Sequence, residues 1–276
     1  MKTIDLYFIR AISNLHVGSG EGDFSVVDKQ VQRDPLNDLP CIHSSGIKGA
    51  LREAMETESN LSNGILDIVI TSVFGGDPKR KKSKHQQGLN NFFDGKLIAL
   101  PIRSSHNFFY VATCPELVEG LLEDLTTFAP NAPLQATLQG LLDLKISAPA
   151  LYFGEKNSGG SITLEDWQAQ HGSFDASVLH PYLGKRIALL SNDSFRKLAK
   201  ELPIIARNYL ENGISRNLWY EEVVPREARF YTLISRHEDN DELNTFIDSK
   251  KCLVQLGANA TVGYGLCQFQ KLNGHA

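Results

Sequence analysis

Hydrophobic and polar positions along the chain follow two periods, which predict a mixture of strands and helices. Residues 3–11 are rich in β-formers and roughly alternate, which is typical of a strand. After residue 46 the apolar residues recur every three or four positions, which places them on one face of a helix. That face consists of Ile47, Ala50, Leu51, Ala54 and Met55. Ser44 or Ser45 is the expected N-cap of this helix.

The same reasoning predicts further elements along the rest of the chain. Strands are expected at residues 96–103, 107–113, 186–190 and 252–255, and helices at 116–127, directly after Ser191-Asn192-Asp193, and at 239–249. The order of these elements predicts an α+β domain of the ferredoxin-like, RNA-recognition kind with long insertions.

Composition and charge narrow the possible functions. A chain of 276 residues can bury a full core as one domain or two. Its net charge of −4 argues against a free-standing nucleic-acid binder with a wholly basic face, so any polyanion must be held locally. The sequence has no bilayer-length apolar run and no signal-peptide pattern at its start, which favours a cytoplasmic protein. Its four cysteines have no C-x-x-C spacing and are expected to be buried thiols.

The predicted helix after residue 43 begins with groups that suit an anion. Ser44, Ser45 and Gly46 would present hydroxyls and free backbone N–H groups, and Lys48 and Arg52 lie four residues apart on one face. The sequence alone is equally consistent with phosphate binding and with an ordinary capped helix whose basic edge is solvated.

Two glycine-rich segments bear on the same question. The glycines within residues 18–22 lack the G-x-G-x-x-G spacing of dinucleotide sites. Gly257, Gly263 and Gly265 also lack it, but they let the backbone approach a ligand, and their amides are candidates to cradle phosphates. Tight turns are the more common meaning of such glycines.

A carboxylate and a histidine complete the candidate chemistry. Asp28 lies in a polar loop beside Lys29 and Arg33, and most carboxylates in such loops are simply solvated. A loop histidine such as His16 is more often held by hydrogen bonds than used as a base. Combined with a phosphate-holding helix end, however, an acid and a histidine are the groups that cut a phosphodiester. The basic run at 79–84 is expected to be a mobile loop that is either solvated or steers RNA.

Five blocks of sequence carry a specific resemblance. They are "LHVGSG", "VVDKQVQRDPLNDLPCIHSSGIKGALR", "NNFFDGKLIALPIRSSHNFFYVATCP", "LWYEEVVPREARFY" and "VQLGANATVGYGLCQF". In order and approximate spacing the chain resembles the RNA-cleaving backbone subunit of type III-B (Cmr-type) CRISPR effector complexes, within the RAMP superfamily. The resemblance implies one palm domain over residues 1–276, with an insertion around 60–95 and a thumb around 205–230.

The resemblance also implies partners and site residues. Copies of such a subunit stack along a guide RNA, with other subunits of the complex, and cleave the paired single-stranded target RNA at regular intervals. The implied catalytic residues are Asp28, His16 and Glu221. The implied RNA-binding residues are Ser44, Ser45, Lys48 and Arg52, with Gly257, Gly263 and Gly265. The chain departs from the family pattern at "IHSSGIKG", "FFDG" and Val223, and the last departure weakens the case for a chemical role of the thumb.

The implied chemistry is attack of an RNA 2′-hydroxyl on its own phosphate, after the thumb displaces a nucleotide and bends the chain. Asp28 would hold Mg²⁺ or another divalent cation, or orient the hydroxyl, and the sequence leaves both roles open. Base pairing with the guide would select the target, as in other RNA-guided systems.

Three alternatives remain at this stage. The first is a metal-independent endoribonuclease that matures guide RNA, for which Asp28 would be dispensable. The second is a scaffold subunit that binds guide RNA without cutting, in which Asp28 is structural. The third is a type III-A counterpart with a similar aspartate. The block at 96–114 and the sequence "WYEEVVP" favour type III-B.

Overall fold

The computed structural model describes residues 2–20, 27–59, 61–76, 86–144, 146, 149–156, 161–249 and 253–272. These residues form fourteen strands and seven α-helices. The strands are β1 Lys2–Ala11, β2 Cys41–Ile42, β3 Asn91–Phe92, β4 Gly95–Arg103, β5 Phe109–Thr113, β6 Ala150–Tyr152, β7 Ser161–Leu164, β8 Trp167–His171, β9 Ile187–Leu190, β10 Ile204–Glu211, β11 Ile214–Glu222, β12 Arg229–His237, β13 Leu253–Gln255 and β14 Leu266–Lys271. The helices are α1 Ser44–Glu58, α2 Asn63–Phe74, α3 Pro115–Phe128, α4 Ala132–Leu142, α5 His180–Leu183, α6 Asn192–Lys200 and α7 Glu242–Ser249.

Twelve of these strands join in one sheet, which runs β13-β14-β1-β12-β4-β5-β9-β6-β8-β7, with β2 paired to β4 and β3 to β12. Its neighbours β14, β1, β12 and β4 are all antiparallel. Taken in chain order, β1–α1–β4–β12–α7–β14 has the β-α-β-β-α-β order of ferredoxin-like units. The predicted α+β class is therefore confirmed. The division into palm, insertion and thumb stays a prediction.

The predicted core face of α1 is also confirmed. Ile47, Leu51, Ala54 and Met55 are buried, and Ala50 is half-buried against the same core. Strand β1 buries a run of consecutive residues, Leu6, Tyr7, Phe8 and Ile9, rather than every second one. A continuous buried run indicates that protein covers both faces of the sheet at this point.

Three predicted boundaries are corrected by the structure. The N-cap of α1 is His43, not Ser44 or Ser45. Helix α7 begins three residues later than expected, because the N–H of Asn240 donates to the carbonyl of His237 at 2.9 Å and closes a turn first. Strand β5 begins two residues later than expected, at Phe109.

Strands β10 and β11 form a separate two-stranded sheet, called the hairpin below. Asn212 and Gly213 at its tip both have positive φ, 51° and 79°, as a tight two-residue hairpin turn requires. Large apolar side chains along it are more than half exposed, namely Tyr209, Leu210, Ile214 and Leu218. Only the last two residues of β11 are buried, so the hairpin meets the core at that end.

Three of the four cysteines are buried thiols, as predicted. Cys41, Cys114 and Cys267 are free and buried, whereas Cys252 and the basic run at 79–84 lie outside the described residues. No helix in the described ranges is both long and apolar enough to cross a membrane.

Candidate functional site

Asp28 is exposed, and the backbone fixes its position. Its Oδ2 accepts the N–H of Tyr220, at the base of the hairpin, over 2.8 Å. The N–H of Lys29 donates to the carbonyl of Tyr220 at 3.1 Å, and the N–H of Glu222 donates to the carbonyl of Lys29 at 2.9 Å. The predicted catalytic aspartate therefore lies in a bend directly before Lys29, which pairs with the end of β11, and its hydrogen bond to Tyr220 fixes it there.

Glu221 is the centre of a buried hydrogen-bonded cluster, and only 1% of its side chain is exposed. Its Oε1 accepts from Lys29 Nζ at 3.1 Å and Trp219 Nε1 at 2.8 Å. Its Oε2 accepts from Arg207 Nε at 3.1 Å and Asn259 Nδ2 at 2.9 Å. Burial raises the pKa of Glu221, but the hydrogen bonds from Trp219, Lys29 and Arg207 outweigh it and lower that pKa to about 2.

An acid with such a low pKa stays ionised at neutral pH and does not exchange protons there. Both oxygens of Glu221 are also occupied by donors from three different parts of the chain. The catalytic assignment of Glu221 stays a prediction, and its geometry favours a role in holding neighbouring groups over direct proton transfer.

His16 is 3% exposed, and its hydrogen bonding defines its tautomer. Its Nδ1 lies 2.7 Å from the carbonyl oxygen of Glu222. Because a carbonyl only accepts, Nδ1 must carry the hydrogen, and Nε2 of the neutral ring holds a lone pair. The carbonyl of His16 in turn accepts the N–H of Ala258, which ties the first loop to the C-terminal glycine-rich loop.

The glycines of that C-terminal loop are needed for its shape. Gly257 and Gly265 have φ of 72° and 79°, and a Cβ at either position would overlap a backbone carbonyl, that of His16 or Leu256. Gly263 also has positive φ, but the space around its Cα is open.

The amides of two of these glycines are already used within the protein. The N–H of Gly263 donates to the carbonyl of Ala260 at 2.9 Å, and the N–H of Gly265 donates to the carbonyl of Asn14 at 2.8 Å. Contrary to the hypothesis from sequence, these two amides are not available to cradle a phosphate. The loop contributes side chains instead: Asn259 to Glu221, and the ring of Tyr264, which lies 4.5 Å from the guanidinium of Arg207.

Several N–H groups at the start of α1 already donate to acceptors within the protein. Asp94, in the "FFDG" segment, accepts the N–H of Ser44 at 2.6 Å. The N–H groups of Gly46 and Ile47 donate to the carbonyl of His43. Within the described part of the chain, the N–H of Ser45 has no partner. The expected anion site at the start of α1 therefore has fewer free N–H groups than the sequence indicates.

The two basic side chains on α1, Lys48 and Arg52, differ in whether other groups of the protein already bind them. Arg52 donates from Nε to Glu56 at 3.0 Å and from Nη1 to the carbonyl of Gly75 at 3.3 Å, so it is engaged by its own fold. Lys48 is half-buried and makes no ion pair with any described residue. Lys48 and the exposed Ser45 are thus the best-placed groups for a phosphate, and the RNA-binding assignments stay predictions.

Gln32 connects the two halves of the candidate site. Its Nε2 donates to the carbonyl of Gly18 at 3.1 Å, and its Oε1 accepts the N–H of His43 at 2.8 Å. The His16 loop and the start of α1 are therefore linked by one side chain. Reasoning from sequence missed Gln32, Arg207 and Asn259, because only the tertiary pairing gives them partners.

The described residues contain no group of three or more histidine, cysteine, aspartate or glutamate side chains able to hold a metal ion. Asp28 offers an exposed carboxylate directly before Lys29 of the cluster. Mg²⁺ commonly binds one or two carboxylates together with substrate phosphates and keeps several waters. Asp28 fits a cation of that kind shared with RNA, and it does not fit a protein-only cage.

The candidate site lies on an open surface, next to a shallow groove of about 580 Å³ that Val27, Gln30, Arg33 and Glu222 help to line. A groove of about 770 Å³ runs between β4, β8, α6 and the segment after the hairpin, and none of the predicted site residues lines it. An open surface of charged and hydroxyl groups suits a polymer better than a small molecule.

Comparison with known proteins gives consistent results. The family model described as the RAMP superfamily matches residues 8–268. The chain is 28% identical to the Cmr endoribonuclease Cmr4 of the CRISPR system of Pyrococcus furiosus, over 91% of this chain and 89% of that protein. It is 25% identical to the CMR subunit Cmr4 of Saccharolobus solfataricus, over 97% and 96% respectively. A chain of the apo type III-B Cmr-beta complex, 22% identical, has the same fold, with a TM-score of 0.82 over 98% of both chains.

Proposed function

The chain belongs to the RAMP superfamily, and from that premise we propose that it is the backbone subunit of a type III-B CRISPR ribonucleoprotein. In this role it binds guide RNA beside further copies of itself and other subunits, and it cleaves the complementary single-stranded target RNA at regular intervals. A relative named as an endoribonuclease, aligned over about nine-tenths of both chains, supports the enzymatic part of the proposal.

The observation that carries the proposal is the exposed carboxylate of Asp28, held at the base of a projecting hairpin by the N–H of Tyr220. Phosphodiester cleavage needs a charged group that is fixed in place yet open to the polymer. In the proposed reaction the 2′-oxygen forms a bond to phosphorus and the bond from phosphorus to the 5′-oxygen breaks. The 2′-hydroxyl loses its proton and the 5′-oxygen gains one, which leaves a 2′,3′-cyclic phosphate and a 5′-hydroxyl.

The hairpin provides the distortion that this reaction requires. Its exposed apolar side chains, such as Leu218 and Tyr209, suit contact with unstacked bases. Displacing one nucleotide costs a few kcal/mol and brings the attacking and leaving oxygens into line. The interval between hairpins of successive subunits would set the interval between cuts.

A divalent cation, Mg²⁺ or a similar ion, is part of the proposal. When bound it would offset phosphate charge. Asp28 is the described residue placed to hold it, and the same carboxylate is equally placed to orient the 2′-hydroxyl. Cleavage by the assembled complex should stop in excess chelator and return when Mg²⁺ is added back. Undiminished cleavage in chelator would remove the cation from the proposal and leave Asp28 the orienting role.

Guide pairing supplies the sequence specificity in this scheme, and the protein contacts sugar and phosphate. This explains how a chain with a net charge of −4 can serve RNA, because the positive groups need only line one local groove. The cytoplasmic location expected from the sequence stays a prediction.

The test is cleavage of an end-labelled target by the complex assembled with its guide. The proposal expects cuts at a constant spacing, each leaving a 2′,3′-cyclic phosphate, and none in a target that lacks complementarity. The matched protein variants are Asp28→Asn and Asp239→Asn, since Asp239 has 92% of its side chain exposed on the turn before α7. Failure of the wild-type complex to cut a bound target would contradict the enzymatic proposal.

A non-catalytic scaffold is the second candidate, and one contact favours it. The Oδ2 atom of Asp28 already has a structural task, since it accepts the N–H of Tyr220. If that contact were the only purpose of Asp28, replacement by asparagine, which also offers an acceptor, would leave every property of the complex unchanged.

A further inference from the structure

We propose that Lys29 and Arg207 form a phosphate-binding pair, which Glu221 holds in place beside Asp28, and that the phosphate they bind is the one that is cleaved. The inference rests on the proposed function and deepens it, since it names the groups that receive the charge of the reacting phosphate. It also changes the role of Glu221 from a catalytic acid to a positioning residue.

Each of the two cations uses only part of its hydrogen-bonding capacity on Glu221. Lys29 donates one hydrogen bond to Oε1 of Glu221. Its side chain is 53% exposed, so the rest of the ammonium group faces solvent. Arg207 donates from Nε to Oε2 of Glu221. Its Nη2 is buried without a hydrogen-bond partner, and its Nη1 makes no hydrogen bond to the described residues. Lys29 thus keeps exposed donors, and Arg207, with 21% of its side chain exposed, keeps its two terminal nitrogens without an acceptor among the described residues.

Aromatic rings orient the two cations without consuming those donors. The Nζ of Lys29 lies 5.1 Å from the ring centroid of Trp219, and the guanidinium carbon of Arg207 lies 4.5 Å from that of Tyr264. A stacked guanidinium keeps its N–H groups in the plane of the fork, which matches two oxygens of a phosphate. The arrangement is therefore fixed before a ligand arrives, as an electrostatic site requires.

The charges of this cluster do not cancel. Lys29 and Arg207 are two cations that share one buried carboxylate, so the ion pairs of Glu221 carry an excess of one positive charge beside the exposed carboxylate of Asp28. A buried guanidinium nitrogen without a partner is uncommon in folded proteins and calls for an explanation. An anionic oxygen that approaches the exposed part of the pair would offset the positive charge of its ion pairs.

The pair lies where the reaction would place charge. Lys29 follows Asp28 directly, and its backbone is hydrogen-bonded to Tyr220 and Glu222 on either side of Glu221. When the 2′-oxygen attacks, negative charge builds up on the two non-bridging oxygens of the phosphate. Donors aimed at these oxygens stabilise the transition state more than the bound substrate.

The first experiment compares Arg207→Gln and Lys29→Gln with a matched control, Arg196→Gln, in complexes assembled with guide RNA. Arg196 is also an ion-paired arginine, with Glu116 at 2.6 Å and Asp193 at 3.7 Å, but it lies on α6 outside the cluster. Arg207→Gln and Lys29→Gln should each slow single-turnover cleavage by about 100-fold, while target affinity changes by less than about threefold. The control should cleave at the wild-type rate. Wild-type rates in both cluster variants would overturn the inference.

A second measurement separates direct contact from a purely structural effect. Sulfur replaces one non-bridging oxygen of the scissile phosphate, in each diastereomer, and the slowing is compared between wild type and Arg207→Gln. A contact predicts that at least one diastereomer slows the wild type about tenfold more than the variant, because the variant has already lost the interaction. Equal slowing in both proteins for both diastereomers would overturn the inference even if Arg207→Gln is slow. A wild-type complex that binds target without cutting would instead reject the proposed function.

Discussion

The N–H of Tyr220 donates to Oδ2 of Asp28 over 2.8 Å, so an exposed carboxylate and the base of a projecting hairpin are one unit. The next residue, Glu221, is buried and holds Lys29 and Arg207. The exposed carboxylate of Asp28 therefore lies next to the two cations, because β11 and the segment after residue 27 run side by side.

The low pKa of Glu221 predicts how the stability of the cluster depends on pH. The pKa is about 2 in the folded protein and ordinarily 4.5, so the stabilisation is complete above about pH 4.5 and is lost as the pH falls towards 2. Glu221→Gln should lower the free energy of unfolding by about 3 kcal/mol at pH 7, since it leaves two cations uncompensated. Urea unfolding of both proteins should show this difference shrinking between pH 4.5 and pH 3. A difference that stays constant over that range would contradict the assignment.

His16 is predicted to act mainly through the hydrogen bond from its Nδ1 to the carbonyl of Glu222. The amide nitrogen of asparagine can occupy nearly the same position as Nδ1, whereas alanine leaves a buried carbonyl without a donor, at a cost of about 1–3 kcal/mol. His16→Asn should therefore retain most of the stability and cleavage rate that His16→Ala loses. Thermal unfolding and single-turnover cleavage measure the two effects. An asparagine variant as inactive as the alanine variant, yet stable, would assign the chemistry to Nε2.

Gly265 and Gly263 provide a matched pair of substitutions in one loop. Both have positive φ, but an added Cβ overlaps the carbonyl of Leu256 only at Gly265. Gly263→Ala should cost about 1–2 kcal/mol for the left-handed conformation alone. Gly265→Ala should cost clearly more, because the backbone must also move. Denaturant unfolding of both variants tests this order, and equal losses would count against the close approach.

Lys48 is predicted to bind the guide without regard to its sequence. Lys48→Ala should weaken binding of all guides alike and lower the salt dependence of binding by about one phosphate contact. Arg52→Ala should change the salt dependence less, because Arg52 is engaged with Glu56 and Gly75. Affinities for two unrelated guides at several salt concentrations provide the measurement. A loss confined to one guide sequence would contradict phosphate binding.

Local patterns predicted the parts of the fold that local physics decides. The apolar face of α1 and the capped start of α6, where Ser191 accepts the N–H of Ser194 at 3.2 Å, follow from residue spacing and capping. The true N-cap of α1 was not predictable in this way, because the acceptor for the first amide is Asp94, fifty residues away.

In the candidate site, too, the sequence predicted individual residues but not the tertiary contacts between them. Asp28 and His16 were candidates from residue chemistry as well as from the resemblance, Glu221 came from the resemblance alone, and the structure brings their segments together around the end of β11. Their hydrogen-bond partners come from separate parts of the chain, as Asn259 does for Glu221. No periodicity in the sequence encodes such pairings, so the positioning role of Glu221 and the pair of cations could be inferred only from the fold.

The most direct test of the central claim is the single-turnover rate of target cleavage by the assembled complex carrying Asp28→Asn, with target affinity measured in parallel. Asparagine keeps an acceptor for the N–H of Tyr220, removes the charge and replaces the second oxygen by an NH2 group. Assembly and target binding should be retained, while regularly spaced cutting should fall by about 100-fold or more. Cutting at the wild-type rate by a complex that carries Asp28→Asn would show that the carboxylate is structural and that the chemistry lies elsewhere.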